Sequence, residues 1–439
     1  MLERWTRLLE QHIRANCEQM MREPAGQLSH PYTVPSSPDS PYYSTALWDW
    51  DSWSASIALG QVELDTDRPG RFLPYEQGSI LNFLEHTDED GVMPIQLTPG
   101  SALTHGDPSR AGGFAENMHK PVLAQHAALL TQRQGTVGTA DPASPVGTAD
   151  PASSAEWIRP HMATIGRFVD RYLESHVHAG TGLAYWQTDF AVGVDNDPAV
   201  FYRPAKSTAS VLLNSLLFRE LLGYAELLER LGEPAVANRR RGQAQDLADA
   251  MREHLWDERD GTFYSADLAL RPVDPEDWLH RGAPRSWSSL LLRIDGWSSF
   301  LPMWAGVASR EQAERMLARA RDPRTFEATY GIRSLSRLEK MYDLRPSNNP
   351  SNWLGPVWGI TNYLVFRGLV RYGFDEDARQ LAGKTIRLFG RDLETSGALH
   401  EFYHPDTGEP IMTRGFQNWN FLVLNMIAWL QDRVAITEF

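Results

Sequence analysis

The feature that most limits the possible folds is a turn that recurs along the 439-residue chain. In each copy a predicted helix ends, a glycine follows, and a short apolar or aromatic run comes next, as in DEDGVMPIQ, GTGLAYWQ, RDGTFYSA, ATYGIRSL and TSGALHEF. The turn glycines are Gly91, Gly182, Gly261, Gly331 and Gly397, which are 91, 79, 70 and 66 residues apart. Each interval has room for two helices.

Repetition at this scale predicts a closed or stacked array of helical hairpins. The intervals contain amphipathic stretches such as AEWIRPHMATIGRFVDRYLESHV, whereas sustained β alternation is scarce. Glycine turns after helices could also be unrelated C-caps, but their regular spacing favours the array. The five turns and the aromatic stretch near residue 50 predict six hairpins. We therefore expect one all-α catalytic domain over residues 1–439, an (α/α)6 barrel with its functional loops on one rim.

One tract departs from this pattern. The segment GTADPAS occurs at 138–144 and again at 147–153. A duplicated Gly, Pro, Ala, Ser and Thr tract has little to bury, so we predict a disordered surface insertion within residues 135–155.

Charge and cysteine content limit the partners. The net charge of −14 disfavours nucleic acid and anionic membrane surfaces, and a small-molecule substrate fits better. Cys17 is the single cysteine and the amphipathic N-terminus does not resemble a signal peptide, so the simplest expectation is a cytoplasmic protein. The sequence indicates no cofactor and leaves the oligomeric state open.

Near the C-terminus, HEFYH at 400–404 matches the HExxH pattern of zinc proteases. Zinc binding needs this pattern on a helix, because residues i and i+4 share a face only there. Pro405 follows His404 directly and disfavours helical geometry, and the downstream segment NWNFLVLNMIAWLQ offers no Glu, His or Asp until Asp432. We therefore expect no metal site, and Glu401 needs another role.

Acidic residues in two of the recurring loops provide that role. Glu401 lies in one loop, and YWQTDFAVGVDNDP places Asp189, Asp195 and Asp197 in another. If the loops share a rim, two of these carboxyl groups can converge on one pocket, which is the arrangement that glycosidic hydrolysis uses. An Asp-Asn-Asp-Pro run can equally be a turn cap.

Aromatic stretches support a sugar ligand. In ALWDWDSW, Trp48 and Trp50 alternate with Asp49 and Asp51, whose carboxyl groups would be costly to bury without partners. A second stretch, NNPSNWLGPVW, contributes two further aromatic residues, Trp353 and Trp358. Aromatic faces stack on sugar rings while carboxylates accept hydrogen bonds from the hydroxyls, although core packing also accounts for many tryptophans.

These motifs, in this order, resemble glycoside hydrolase family 63, specifically its short bacterial members that act on mannosylglycerate or glucosylglycerate. The matching stretches are WDWDSW, HKPVLAQ, GVDNDP, NWLGPVW and LHEFYHPDTGEP. The resemblance implies an inverting α-glycosidase in which Asp195 is the general acid and Glu401 the general base. It also implies that Trp50 and Asp51 contact the sugar, and that Asp195 needs a raised pKa in order to be protonated.

Basic residues near these motifs suggest that the substrate carries a carboxylate, most simply glycerate. Lys120 stands where the family usually has Gln, and Arg203 and Lys206 follow Asp195, although both could simply pair with surface acids. Gln96, in the DEDGVMPIQ turn, is also expected to bind substrate. The alternatives are a trehalase-like hydrolase of a neutral disaccharide, a sugar epimerase with a histidine acid/base pair, and a non-catalytic sugar-binding protein.

Overall fold

The computed structural model describes residues 1–103, 117–137, 153–271, 274, 276, 278–279, 285–345 and 351–439. Nearly all of the duplicated tract lies outside these residues. The insertion expected within residues 135–155 and the single catalytic domain expected over the whole chain both stay predictions.

Within the described residues, twelve α-helices alternate between an inner and an outer ring. The inner helices are α2 (Asp49–Thr66), α4 (Leu123–Val137), α6 (Val211–Arg230), α8 (Leu301–Ala305), α10 (Gly359–Arg371) and α12 (Val423–Leu430). The outer helices are α1 (Leu2–Asn16), α3 (Leu73–Glu85), α5 (Met162–Ser175), α7 (Pro234–His254), α9 (Arg310–Ala320) and α11 (Asp375–Ser396). The 3₁₀ turns Trp297–Phe300 and Asn418–Leu422 lead directly into α8 and α12.

The inner ring is closed. Each inner helix contacts the next along the chain, and α12 returns to contact α2. Helix α1 packs against α11 and α12, so the first helix of the chain completes the sixth hairpin with the last. This closure confirms the (α/α)6 barrel predicted from the spacing of the turns.

Burial explains why the helices sort into two rings. Every residue of α2 from Asp49 to Glu63 is buried, whereas the buried residues of α7 are three alanines, one leucine and one methionine. A helix covered on all sides tolerates apolar residues all round, and a helix open to solvent needs only one apolar stripe. No helix in the described part of the chain is both long enough and apolar enough to cross a bilayer.

Fifteen short strands lie in the loops of the described residues. They are β1 (Met21–Arg22), β2 (Tyr32–Thr33), β3 (Leu47–Trp48), β4 (Gln96–Thr98), β5 (Ser101–Leu103), β6 (Thr208–Ala209), β7 (Trp256–Asp257), β8 (Thr262–Phe263), β9 (Ala266–Asp267), β10 (Leu290–Leu291), β11 (Glu327–Ala328), β12 (Gly331–Ile332), β13 (Val357–Trp358), β14 (His400–Tyr403) and β15 (Pro410–Arg414). They pair into small antiparallel sheets, of which β3–β4–β5, β6–β9–β10 and β13–β14–β15 have three strands. Because β3, β6 and β13 end at or just before the starts of α2, α6 and α10, the sheets lie on the rim formed by the N-terminal ends of the inner helices.

The five turn glycines follow the five outer helices α3, α5, α7, α9 and α11, and all have positive φ. Their backbone conformation is one that other residues adopt only with strain. At Gly331, with φ of 149°, a Cβ would also lie 2.2 Å from Oδ1 of Asn362. That oxygen accepts a hydrogen bond from the backbone N–H of Ile332 at 2.9 Å. Because residue 331 is a glycine, the side chain of Asn362 on α10 can approach the turn closely enough to make this bond.

Candidate active site

A cavity of about 100 Å³ opens on the rim where the inner helices begin. Its walls come from loops that are far apart in sequence and that the ring brings together. The lining residues are Tyr43, Trp48, Trp50, Asp51, Ile95, Lys120, Phe190, Gly193, Asp195, Ser351, Trp353, Trp358, Glu401, Phe416 and Trp419. Both predicted catalytic carboxyl groups and six of the predicted substrate-binding residues are therefore in one place.

Glu401 lies on strand β14 and is 3% exposed. The HEFYH segment is thus extended at its centre rather than helical, as its following proline indicated. Its two histidines have other roles: Nδ1 of His400 is 2.8 Å from Oδ2 of Asp392, and Nδ1 of His404 accepts hydrogen bonds from the backbone of the turn that follows. Among the described residues, no group of three or more His, Cys, Asp or Glu side chains is arranged to hold a metal ion.

The pKa of Glu401 is raised to about 8. Burial is the largest cause, and the nearby carboxyl groups of Asp51 and Asp195 add to it, whereas a hydrogen bond from Thr413 lowers the pKa. The sequence-based mechanism expected the raised pKa at the acid, Asp195. That expectation for Asp195 stays a prediction. Burial raises the pKa of the expected base, so Glu401 must lose a proton before it can activate water.

Asp51 lies in the first turn of α2 and is also buried. Burial and the neighbouring Asp49 raise its pKa to about 8, although Lys120 and a hydrogen bond from Asn418 lower it. The amide of Asn418 donates to Oδ1 of Asp51 at 2.5 Å and accepts from the hydroxyl of Ser54 at 2.8 Å. The 3₁₀ turn that leads into α12 therefore fixes the orientation of the Asp51 carboxyl group.

Lys120, which lines the cavity, forms an ion pair with Asp49 behind the cavity wall, and their side chains are 2% and 0% exposed. The ammonium Nζ of Lys120 is 3.1 and 3.0 Å from the two carboxylate oxygens of Asp49, and it lies 5.2 Å from the centre of a ring of Trp50. The carboxylate of Asp49 also accepts hydrogen bonds from the backbone N–H groups of Trp50 and Lys120. The positive charge of Lys120 is therefore compensated within the protein.

Tryptophan side chains form much of the cavity wall. The rings of Trp353 and Trp358 are stacked, with centroids 3.8 Å apart and planes within 4°. Trp50 packs edge-on against Trp419 at 5.6 Å and tilted against Trp353 at 6.3 Å. The indole N–H groups of Trp353 and Trp358 donate to Ser351 and to the carbonyl of Asn352, which holds both rings in fixed orientations.

The Asp-Asn-Asp-Pro run performs three separate tasks. Asp195 lines the cavity. Asn196 accepts a hydrogen bond from the backbone N–H of Trp353 at 2.7 Å and so ties this loop to the tryptophan stack. Asp197 caps the following turn through the N–H of Ala199 at 2.9 Å and does not line the cavity, although burial raises its pKa to about 6. The turn-cap interpretation thus applies to the second aspartate of the run.

Four residues predicted to bind substrate lie outside the cavity lining. Asp49 is behind the wall in its pair with Lys120, and Gln96 pairs with Trp48 between strands β4 and β3. Arg203 forms a salt bridge with Asp267 at 2.8 Å, and Lys206 is exposed at a positive-φ turn. For Arg203, the pairing with a surface acid that we considered from sequence is the arrangement in the structure.

The sequence analysis missed several lining residues, namely Tyr43, Ile95, Phe190, Gly193, Ser351, Phe416 and Trp419. A signal for Trp419 was present, because the Asn-Trp pair at 352–353 recurs at 418–419. Gly193 opens the GVDNDP motif, but nothing in the sequence indicates why this position needs a glycine. It has φ of 72°, and a Cβ there would lie 2.5 Å from Cε of Lys120, so only the packed structure shows why glycine is needed.

The model of the mannosylglycerate hydrolase MGH1-like glycoside hydrolase domain matches residues 99–419, well over half of the chain. The chain belongs to this family. The matched range contains both Asp195 and Glu401. It confirms the resemblance to mannosylglycerate-hydrolase-like glycosidases that the sequence motifs indicated.

Individual relatives agree with the family assignment. A mannosylglycerate hydrolase from Rubrobacter radiotolerans is 29% identical over 202 residues, which are 45% of this chain and 39% of that protein. The aligned part thus spans well under half of that relative. The crystal structure of the GH63 mannosylglycerate hydrolase from Thermus thermophilus in complex with glucose has a TM-score of 0.67 at 21% identity, covering 94% of this chain and 99% of that one. Neutral trehalase Nth1 from Saccharomyces cerevisiae has a TM-score of 0.60 at 15% identity, covering 94% and 79%.

Proposed function

We propose that this family member hydrolyses a small α-linked glycoside and that mannosylglycerate is its substrate. The observation that carries the proposal is that Asp195 and Glu401, from two different loops, line the same largely aromatic cavity. Hydrolysis of a glycosidic bond uses two such carboxyl groups. The family description and the names of the Rubrobacter and Thermus relatives point to mannosylglycerate.

In the proposed mechanism, Asp195 gives its proton to the glycosidic oxygen as the bond between that oxygen and the anomeric carbon breaks. Glu401, as the carboxylate, takes a proton from a water molecule whose oxygen bonds to the anomeric carbon from the opposite face. The configuration is inverted in one step. Inverting enzymes hold their two carboxyl groups roughly 6.5 to 9.5 Å apart, so that the water fits between base and sugar.

The remaining lining residues would hold the sugar. Asp51, oriented by Asn418, can bind sugar hydroxyl groups. The indole face of Trp50, which Trp419 and Trp353 hold in place, can stack on the C–H face of the ring. Trp358 is stacked on both Trp353 and Phe402 and supports this wall.

Lys120 is the basic side chain among the described lining residues. An ammonium group has three N–H donors, and the two oxygens of Asp49 account for two of them. We infer that the third donor binds the glycerate carboxylate. The Lys120–Asp49 pair then provides a directed hydrogen bond rather than a net positive charge.

A neutral substrate is the second candidate. The ammonium of Lys120 is already paired with Asp49, so the described lining carries no uncompensated positive charge to attract an anion. The carboxyl groups of the lining repel an anion only when they are ionised, and the raised pKa of Asp51 and of Glu401 favours their protonated forms at neutral pH. A trehalase-like activity on a neutral disaccharide is therefore measured alongside. Glucosylglycerate, which carries the same glycerate carboxylate, is measured as the alternative to mannosylglycerate.

The test is release of free sugar by the purified protein from mannosylglycerate, glucosylglycerate, trehalose and kojibiose. We expect the highest kcat/KM on mannosylglycerate. Proton NMR of fresh product should show the β-anomer first, because inversion at an α-linkage produces it. Absence of release from all four compounds contradicts the proposed hydrolase, and an initial α-anomer contradicts the inverting mechanism.

We also propose that the enzyme acts in the cytoplasm. Cys17 is buried and has no disulfide partner, and burial raises the pKa of its thiol to about 11. A buried, protonated thiol behaves as a small apolar side chain and is compatible with a reducing compartment.

A further inference from the structure

Thr413 lies directly across the sheet from Glu401. In the β14–β15 pair, His400 is opposite Arg414 and Phe402 is opposite Met412, so Glu401 is opposite Thr413. Residues directly opposite each other in an antiparallel pair point to the same face. The hydroxyl of Thr413 donates a hydrogen bond to Oε2 of Glu401 at 2.5 Å, and both side chains are buried.

The backbone of Thr413 is unusual for its residue type. Its φ is +50°, the left-handed region, in which a β-branched side chain meets steric conflict with its own backbone. Strained residues of this kind persist only where the surrounding structure determines them, and they cluster at functional sites. In this case the strained residue is the one whose hydroxyl holds the proposed base.

Thr413 does not line the cavity, so it acts on Glu401 rather than on the sugar. Its hydrogen bond engages one oxygen of the carboxyl group, Oε2. The second oxygen, Oε1, is then the one that can accept a proton from the water molecule that the proposed mechanism requires.

We propose that Thr413 is a positioning residue for Glu401: its hydroxyl fixes one carboxyl oxygen, favours the ionised form, and leaves the other oxygen for water. This role rests on the proposed function for its catalytic consequence. The hydrogen bond opposes the effect of burial on the pKa of Glu401. Because a hydroxyl donor stabilises a carboxylate more than a carboxylic acid, loss of the donor should make the base harder to ionise.

Three variants separate this role from a packing role. Thr413→Val keeps the shape and removes the hydroxyl. Thr413→Gly removes the hydroxyl and also relieves the backbone strain, because glycine adopts positive φ freely. Thr413→Ser keeps the hydroxyl and removes only a methyl group. The matched control is Thr385→Val, which removes a buried hydroxyl that donates to the carbonyl of Leu381 on α11 and accepts from the amide of Asn362, away from Glu401.

The first measurement does not depend on activity. The infrared C=O band of the protonated Glu401 carboxyl group, identified by its absence in Glu401→Gln, is followed against pH. We expect the Val and Gly variants to titrate roughly one pH unit higher than the unsubstituted protein, and the Ser and Thr385→Val variants to titrate unchanged. If the carboxyl band of Glu401 titrates at the same pH in the Val variant, the Gly variant and the unsubstituted protein, the proposal is wrong.

The second measurement is the pH profile of hydrolysis. Below the pH of half-maximal activity, the Val and Gly variants should lose about tenfold in kcat, while KM changes little. The increase of kcat with pH on the acidic side of the profile should occur at higher pH in both variants. Ser should restore the profile. A glycine variant with full activity and an unchanged pH profile would contradict the positioning role of Thr413. If no substrate is hydrolysed, the infrared titration still decides the role of Thr413, so the two proposals fail separately.

Discussion

Glu401 and Asp51 show how a carboxyl group changes when a fold removes it from water. Both are buried, each lies near other carboxyl groups, and the pKa of each is raised to about 8. Hydrogen bonds from Thr413 and Asn418 act in the opposite direction without cancelling the effect of burial. The site therefore holds protons near neutral pH that ordinary carboxyl groups have lost.

At this scale the first prediction concerns the two catalytic groups. Asp195→Asn and Glu401→Gln should each lower kcat on mannosylglycerate roughly 100- to 10,000-fold, because each removes one half of the acid/base pair. The control is Asp197→Asn, which changes a turn cap outside the cavity and should keep most activity. If Asp195→Asn stays active and Asp197→Asn is inactive, then Asp197 and not Asp195 is the general acid.

The second prediction concerns pH. A general base works only when deprotonated, and the pKa of Glu401 is raised to about 8. We therefore expect kcat/KM on mannosylglycerate to increase between pH 6 and 8, well above the range in which an ordinary glutamate ionises. Asp51→Asn removes a carboxyl group beside Glu401 and should move the increase in kcat/KM to lower pH. This shift is expected even if the variant binds the substrate more weakly. A profile that is flat from pH 5 to 8 would contradict the role of Glu401.

Among the elements, the pair of Asp49 and Lys120 connects two inner helices at the cavity. Asp49 is the first residue of α2, and Lys120 lies three residues before α4. Asp49 bonds the backbone N–H of Trp50 and of Lys120 as well as the ammonium group. The pair therefore fixes the relative position of two loops that line the cavity.

The third prediction tests this connection. Lys120→Ala leaves the carboxylate of Asp49 buried without its charge partner and should lower the free energy of unfolding by about 3 to 5 kcal/mol. The combined change Asp49→Asn with Lys120→Gln leaves no buried charge and should recover most of that loss, as measured by urea unfolding. Equal stability of the single and double variants would show that the ion pair is not what connects the loops.

The same double variant also tests the glycerate contact. If the third N–H of Lys120 binds the substrate carboxylate, kcat/KM on mannosylglycerate should fall roughly thirty- to hundredfold. The loss on the neutral analogue mannosylglycerol should be much smaller. Equal losses on the two compounds would make Lys120 structural and would favour the neutral-substrate alternative.

Across the whole molecule, the barrel buries ionisable groups well beyond the catalytic pair. Burial raises the pKa of Glu76 and of Glu220 to about 7 and lowers the pKa of His119 to about 4 and of His126 to about 3. Glu220 bonds the backbone N–H groups of Ala124 and Gln125 and so caps α4 from the neighbouring helix α6. Burial in the folded protein therefore shifts each of these groups toward its neutral form, although Arg133 opposes the shift at Glu76.

The fourth prediction follows from the sign of these shifts. A carboxyl group with a raised pKa favours the folded state when protonated, so its contribution is lost as pH rises through the folded pKa. The buried histidines act in the opposite direction, but only below about pH 6.5, where the unfolded chain becomes protonated. Between pH 6.5 and 8 the carboxyl groups act alone, and Tm should fall on the order of a few degrees.

Glu401→Gln provides the control for this prediction. The substitution removes one of the carboxyl groups whose pKa is raised. Between pH 6.5 and 8, Tm of this variant should therefore fall less than Tm of the unsubstituted protein. Thermal unfolding at pH 6.5 and at pH 8, followed by circular dichroism, measures the change in Tm of each protein. A Tm that rises over this interval would contradict the assignment of raised pKa values to the buried carboxyl groups.

The sequence by itself determined the helical barrel and the two carboxyl groups of the proposed mechanism. Helical periodicity and glycine turns are local properties, and their regular recurrence predicts the ring because each hairpin must cover an apolar face with the next. Asp195 and Glu401 could be found because their loops carry recognisable motifs. The same motifs left the role of Asp197 open, and its function as a turn cap became visible only in the structure.

Tertiary structure decided the charges and the supporting contacts. The pairing of Lys120 with Asp49, the salt bridge of Arg203 with Asp267, and the hydrogen bond of Thr413 to Glu401 join residues whose sequence neighbours carry no sign of the contact. A pKa depends on burial and on charges from other elements, so no local pattern could place the raised pKa on Glu401. Electrostatics and strain are properties of the assembled rim, which exists only after the ring has closed.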